Sequence, residues 1–199
     1  VTDLAATLDR LDTPPPWPIK VDAGRQDLAV YFAEKGYTTG VEIGTLRGEY
    51  AKTLCRVNPR LRLIAVDPWI PYEGYHDQLQ KTMQRLPDIY EEAQARLEPY
   101  HCTLWRKTSA EAAPDIPDGS LDFVFIDGNH AFDYVMQDLT LWMPKVKPGG
   151  ILSGHDYHRF TRPPYRHIQV IEAVNAFVAQ HEIGPWWIFE DGSYAWRVL

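Results

Sequence analysis

The side chains best suited to chemistry fall into two groups. The first joins Asp127-Gly128-Asn129-His130 to His155-Asp156-Tyr157-His158. Four of the seven histidines (His130, His155, His158 and His167) lie in this part of the chain, a clustering that packing alone does not explain. Two carboxylates brought close repel each other until a proton or a cation comes between them. Asp127 and Asp156 therefore read as oxygen ligands for a hard divalent cation such as magnesium. His155 is a candidate third ligand, whose nitrogen would tilt preference toward manganese or another transition metal. His130, three residues after Asp127, can face the same cleft and act as a general base. The alternatives are plain: Asp127-Gly128-Asn129 also reads as a helix-capping turn, and His155 as a histidine bonded to backbone. His158 and His167 read as substrate-facing or exposed rather than as ligands.

The second group lies upstream. Val41-Glu42-Ile43-Gly44-Thr45-Leu46-Arg47-Gly48 ends an apolar run in glycines, which allow a tight turn and close approach of backbone to a ligand. The glycine spacing is not the dinucleotide fingerprint. Glu42 is awkward beside a pyrophosphate and suited to the ammonium or sulfonium of a cationic ligand; a solvated glutamate in an ordinary turn is the competing reading. Asp67, at the end of the next apolar run, can accept both hydroxyls of a ribose, or simply form an Asp-Pro turn. Thr108-Ser109-Ala110-Glu111 can border an adenine, or cap a helix. All three elements in order are more specific than any one alone.

These residues need a scaffold, and the chain alternates in a way that supplies one. Helical spacing predicts helices over Asp22–Lys35, Glu49–Val57, Asp77–Leu97 (interrupted near Pro87), Ser109–Ala113, Phe132–Met143 and Arg166–Gln180. Apolar runs predict strands over Thr39–Gly44, Leu61–Val66, Cys102–Arg106, Leu121–Ile126 and Gly150–Ser153, the last after a Lys147-Pro148-Gly149 turn. A closing hairpin, Trp186–Phe189 and Tyr194–Val198, turns at Asp191-Gly192. Alternating strands and helices imply an α/β fold, with a mostly parallel sheet and helices on both faces. Ligands then bind beyond the carboxyl ends of the strands, where both groups of residues fall. The stiff Pro14-Pro15-Pro16-Trp17-Pro18 segment divides the chain into an N-terminal extension, residues 1–20, and a domain, residues 21–199. The extension reads as a short helix and a surface linker, or as an arm over the site or a partner subunit.

Composition narrows the partners. At 199 residues, 45% hydrophobic and 24% charged, the chain is of single-domain size and ordinary balance. A net charge of −7 argues against a general grip on nucleic acid, although Arg159, Arg162 and Arg166 could form a local basic patch. Cys55 and Cys102 read as a helix and a strand residue in a reducing compartment. With no membrane-length apolar run and no secretory layout, the expectation is a cytoplasmic protein.

The motifs together resemble the class I S-adenosylmethionine-dependent methyltransferases. The resemblance is to the small branch with Phe-Ile-Asp-Gly-x-His after strand four and Gly-His-Asp-Tyr after strand five, here Phe125 to His130 and Gly154 to Tyr157. It covers about Thr38 to Leu199. It implies a Rossmann-like, seven-stranded sheet whose last strand is antiparallel. It also implies that Glu42, Gly44, Thr45 and Gly48 hold the methionine part of S-adenosylmethionine, that Asp67 holds the ribose, and that Ser109 and Ala110 border the adenine, with Asp127 touching the cofactor. It supports Asp127 and Asp156 as ligands and His130 as base. It departs from several metal-dependent relatives in flanking the later aspartate with His155 and Tyr157 rather than a second acidic or amide group. In this fold, segments such as residues 1–20 and 71–85 shape the acceptor pocket.

The activity expected from this resemblance is O-methylation of a small-molecule or glycan-like acceptor. Tyr72, Tyr75, His76, Tyr157, Arg159 and Tyr165 would supply an aromatic and basic rim, or else pack as surface and lid. Neither a nucleic-acid nor a membrane partner is expected, and a homodimer is left open. A nicotinamide-dependent oxidoreductase would need the missing Gly-x-Gly-x-x-Gly spacing. A non-catalytic cofactor-binding protein would have no use for His130 beside Asp127. An amino-methylating nucleic-acid enzyme would carry an Asn/Asp-Pro-Pro-aromatic motif where Asp127-Gly128-Asn129-His130 stands.

Overall fold

The computed structural model describes residues 4–71, 85–159 and 168–199. Its strands are β1 (Ile19–Val21), β2 (Thr39–Ile43), β3 (Arg62–Val66), β4 (Cys102–Trp105), β5 (Leu121–Ile126), β6 (Val146–Gly154), β7 (Trp186–Phe189) and β8 (Tyr194–Arg197). The helices between them are α1 (Leu4–Leu8), α2 (Arg25–Glu34), α3 (Glu49–Val57), α4 (Leu86–Leu97), α5 (Ser109–Ala112), α6 (Phe132–Trp142) and α7 (Val170–Gln180).

One sheet runs β1-β7-β8-β6-β5-β2-β3-β4. Its pairings are parallel except the two made by β8, which runs antiparallel to β6 and β7. Parallel sheets need cover on both faces, and the side-chain alternation of β5 shows how this one obtains it. Val124 and Ile126 join Val135, Leu139 and Trp142 of α6 and Val174 and Phe177 of α7. Phe123 and Phe125 face the opposite way, toward Leu28 and Phe32 of α2, Leu54 of α3 and Leu97 of α4. Phe32 stacks on Phe123 with ring centroids 4.2 Å apart. The buried stripe of α7 is Val170, Ala173, Val174, Phe177 and Val178, the i, i+3, i+4 spacing of a one-faced helix. Ile168, just before the helix, and Ile171, within it, are partly buried.

Three differences from the expected elements have physical causes. Among the described residues the sheet has eight strands rather than seven, because Ile19–Val21 pairs in parallel with β7. Three residues are too few to show a periodicity, and the expected boundary after residue 20 falls inside this strand. The leading segment is also tied down: Leu4 and Leu8 are buried, and Asp9 takes the Tyr31 hydroxyl and the Lys35 and Arg197 cations. Second, Lys147-Pro148-Gly149 lies within β6 rather than forming a turn before it. The strand bulges there, as the register shift between Leu121/Val146 and Phe123/Ile151 shows. Third, Pro87 sits in the first turn of α4, where its missing N–H costs nothing, rather than interrupting a helix. Residues 77–84 of that expected helix, and 166–167 of the last one, lie outside the described residues. Asp122, the polar residue of β5, is a brace. Its carboxylate accepts the Thr38 and Thr39 N–H groups at 2.7 and 2.9 Å, the Thr39 hydroxyl and the Lys147 ammonium. Those donors hold its carboxyl below the ordinary value despite partial burial.

Among the described residues no helix is long and apolar enough to cross a membrane. Cys55 and Cys102 are free, on α3 and β4 as expected.

Candidate active site

β2 lies between β3 and β5, so chain order reverses there, and such a reversal opens a crevice beyond the strand ends. The loops that line it are locked to one another. Gly44 adopts φ +85°, and a Cβ at that position would lie 2.0 Å from the Asp127 carbonyl oxygen. Only glycine fits both requirements. Asp67 accepts the Leu46 N–H at 3.0 Å and the Trp69 N–H at 2.8 Å, while the Trp69 indole N–H donates to the Leu46 carbonyl. Gly48, at φ +74°, precedes the first turn of α3. The crevice holds a cavity of about 410 Å³, and among its lining are Glu42, Gly44, Thr45, Asp67, Ser109, Ala110, Asp127 and His130.

Glu42 is the most telling of these. It points to the Phe125 side of the sheet and is 3% exposed, and its Oε2 has no hydrogen-bond partner among the described residues. Burial, with the Asp127 and Asp67 carboxylates nearby, pushes its pKa up to about 8. A buried carboxyl with one oxygen unpartnered is expensive to keep, which argues for a ligand rather than for packing.

Also on the cavity wall, burial raises the Asp67 carboxyl, partly offset by its two backbone N–H donors. The helix cap at α5 is Thr108: its Oγ1 accepts the Glu111 N–H, and Glu111 accepts the Thr108 N–H in return. The Ser109 hydroxyl accepts the Trp142 indole N–H at 2.7 Å, so it is occupied by structure, while Ala110 lies on the cavity wall.

At the third corner, β5 and β6 are neighbours with Ile126 opposite Gly154, which brings the two motifs together. His130 Nε2 lies 3.3 Å from Asp127 Oδ1 and 3.0 Å from Asp156 Oδ2. Asp127, His130 and Asp156 each offer one ligand atom, all within 4.8 Å of one another. His155 is not in that trio; its Nδ1 lies 3.2 Å from Asp156 Oδ1. Burial works against its charged form, but Asp156 and Asp127 overcome it and raise its pKa. Burial likewise opposes the Asp156 carboxylate, and the imidazoles around it hold its carboxyl below the ordinary value. Asp156 itself sits at φ +61°, an uncommon conformation for a residue with a Cβ.

The rest of the motif turns elsewhere. A His158 ring nitrogen lies 2.8 Å from the Asp191 carbonyl oxygen. The Tyr157 hydroxyl donates to Asn175 at 2.9 Å and its ring packs on Trp186, so it belongs to the α7 and hairpin packing rather than to a rim. Arg159 is exposed near Glu172. Tyr72, Tyr75, His76, Arg162, Tyr165, Arg166 and His167 lie outside the described residues.

Arg25 and Asp138 are among the cavity residues that the sequence did not single out. Arg25, at the start of α2, reaches Asp127 Oδ2 through Nη1 at 3.3 Å and lies over the Tyr50 ring. No local pattern announces where its side chain goes. Asp138 is 4% exposed, and burial pushes its pKa up to about 7. It did leave a signal, as an acid among the buried residues Val135, Leu139 and Trp142 of α6.

Residues 41–157 match the family described as Methyltransferase domain. An uncharacterized protein of Acanthamoeba polyphaga mimivirus is 29% identical over 161 residues, 81% of this chain and 68% of its own length. An uncharacterized protein of Sinorhizobium fredii is 31% identical over 124 residues, 58% of this chain but only 13% of its own length. The fold is shared with the O-methyltransferase from Bacillus cereus in complex with SAH, at 15% identity and TM-score 0.61, covering 96% of this chain and 85% of that one. The glycine loop, Glu42, Asp67 and the paired motifs after β5 and β6 all fall within the matched residues, and the chain belongs to that methyltransferase family.

Proposed function

We propose that the protein transfers the methyl group of S-adenosylmethionine to a hydroxyl of a small polar or glycan-like acceptor, with His130 as the general base. The observation that carries this reading is the position of the His130 imidazole, 3.0 Å from Asp156 Oδ2 and 3.3 Å from Asp127 Oδ1 on the wall of the cavity that Glu42 and Asp67 line. Glu42 with the glycine loop takes the methionine part, Asp67 the ribose, and the Ser109-Ala110 backbone the adenine edge. The acceptor oxygen attacks the methyl carbon in line with sulfur. The C–S bond breaks, S-adenosylhomocysteine leaves, and the hydroxyl proton passes to His130. The cofactor arrives activated, so the protein's work is positioning and proton removal. The two carboxylates hold the ring and stabilise the imidazolium that forms. An O-methyltransferase bound to the same product nucleoside shares the fold, which supports this choice.

A second reading follows from the 4.8 Å spacing of Asp127, His130 and Asp156. Two carboxylate oxygens and one imidazole nitrogen fit a divalent cation such as magnesium or manganese. Bound there, it would supply positive charge that favours the acceptor alkoxide. His130 would then be a ligand in place of the expected His155, while the Asp127 oxygen that meets Arg25 is Oδ2 and the one beside His130 is Oδ1.

The test is twofold. Saturating S-adenosylhomocysteine must raise the melting temperature, because a ligand of the folded state alone stabilises it. Labelled methyl from S-adenosylmethionine must then appear on hydroxylated acceptors and not on matched amines. An unmoved melting temperature would sink the cofactor assignment, and label on amines alone would sink the acceptor class.

A further inference from the structure

At the end of the sheet away from the candidate active site, the two cysteines of the sequence meet. Cys55 lies in the last turn of α3, on the buried face that also carries Tyr50, Ala51 and Leu54. Cys102 opens β4, the edge strand of the sheet, opposite Leu63 of β3. Both belong to the core layer that α2, α3 and α4 cover. Their thiols are in contact, with the Cys102 S–H hydrogen-bonded to the Cys55 sulfur. That bond, together with burial, keeps the proton on Cys102 and raises its thiol above the ordinary range.

A single thiol in such a layer acts as a small apolar side chain. Two observations set this pair apart. The hydrogen bond brings sulfur to sulfur, the approach that a disulfide requires. In addition, a second cavity, of about 360 Å³, leads to the pair: Cys55 is in its wall, and so are the exposed residues Arg56, Pro59, Pro99 and His101. A small polar reagent can therefore reach a thiol whose residue is only 2% exposed.

We infer that Cys55 and Cys102 are a redox-active dithiol, which closes to a disulfide between α3 and β4 when hydrogen peroxide enters this cavity. Cys102 is the hydrogen-bond donor, so it supports negative charge on the Cys55 sulfur, the one that faces the cavity. The Cys55 thiolate attacks a peroxide oxygen. An S–O bond forms, the O–O bond breaks, and the departing hydroxide takes up the proton that Cys55 gave to solvent. The Cys102 sulfur then attacks the sulfenic sulfur of Cys55. The S–S bond forms, the S–O bond breaks, and the second hydroxide leaves with the Cys102 proton. Two thiols are oxidised and one peroxide is reduced to two waters. The inference stands apart from methyl transfer and does not rest on it. It nevertheless bears on the same scaffold, because α3 begins beside the glycine loop and β4 leads to the Thr108 cap, both of which line the active-site cavity.

The experiment exposes the reduced, folded protein to hydrogen peroxide, then alkylates it with iodoacetamide in denaturant and reads the intact mass. The wild type is expected to lose both alkylatable thiols and the mass of two hydrogen atoms while remaining a single chain on a non-reducing gel. Its melting temperature should rise, because the cross-link restricts the unfolded chain, and a thiol reductant should reverse all of these changes. Cys102→Ala removes the resolving thiol, so Cys55 should stop at a sulfenic acid that dimedone labels. Cys55→Ala should stay unlabelled at the same peroxide dose. The two Ser variants serve if either Ala variant does not melt cooperatively. Two surviving thiols in the folded wild type, with a disulfide formed only in denaturant, would overturn the inference, and so would a disulfide that links two chains. Dimedone label on Cys55→Ala and not on Cys102→Ala would overturn the order of attack.

Discussion

Replacing Glu42 by Gln isolates what a buried carboxyl does to this fold. In the unfolded chain the group titrates near 4.5, and in the empty folded protein its pKa is about 8. The folded protein therefore holds a proton that the unfolded chain has given up, and stability falls as pH rises from about 4.5 to about 8. The stabilising proton is fully present below the lower value and lost above the higher one. At about 1.4 kcal/mol per pKa unit, the loss between pH 5 and pH 8 comes to about 3 kcal/mol. Gln keeps the shape without titrating. Its amide adds donors that need partners, an offset of about 1–3 kcal/mol, but one that does not vary with pH. The pH dependence is therefore the decisive quantity. Urea unfolding of the empty protein at pH 5 and pH 8 should show the wild type losing about 3 kcal/mol more than Glu42→Gln. Binding supplies a second readout. An ammonium seated on Glu42 must ionise it, so S-adenosylhomocysteine binding at pH 7 should release close to one proton in the wild type and none in the variant, as read from calorimetry in buffers of different ionisation enthalpy. Parallel pH profiles would mean that Glu42 is already ionised in the fold, and proton release unchanged by the substitution would place the titrating group elsewhere.

Three further outcomes are expected. His130→Ala should lower turnover by about 10²–10⁴-fold with S-adenosylhomocysteine affinity nearly unchanged in calorimetry; near-normal turnover would mean that the proton leaves by another route. Exhaustive chelation should abolish turnover, with magnesium or manganese restoring it, if Asp127, His130 and Asp156 hold a cation; full activity in the chelated enzyme removes the ion and leaves His130 as the activator. Asp122→Ala should cost about 1–3 kcal/mol in urea unfolding, because two backbone N–H groups at the start of β2 lose their acceptor, while the cavity at the other end of the strand keeps its affinity for S-adenosylhomocysteine.

What the chain settled by itself was local. Runs such as Leu121–Ile126 and the apolar spacing of 132–143 follow from the direction each side chain takes along a strand or helix, so type and near-boundaries of most elements could be read residue by residue. The positive φ demanded at Gly44 and the Thr108-Glu111 cap are equally local chemistry, and Glu42, Asp67, Asp127, His130 and Asp156 were candidates from type and position alone. Tertiary structure decided everything that depends on residues far apart in sequence. The pairing of β5 with β6 turned two separate motifs into one cluster and put His130, not His155, between the carboxylates. The strand β1, too short to carry a pattern, found its place only because β7 offered an edge. Tyr157 turned to Asn175, a residue on another element. Arg25 came to Asp127 across 102 positions of chain. Local sequence cannot express such contacts, because their free energy comes from the packing of whole elements, and the same side chain elsewhere on the surface would read identically in the sequence.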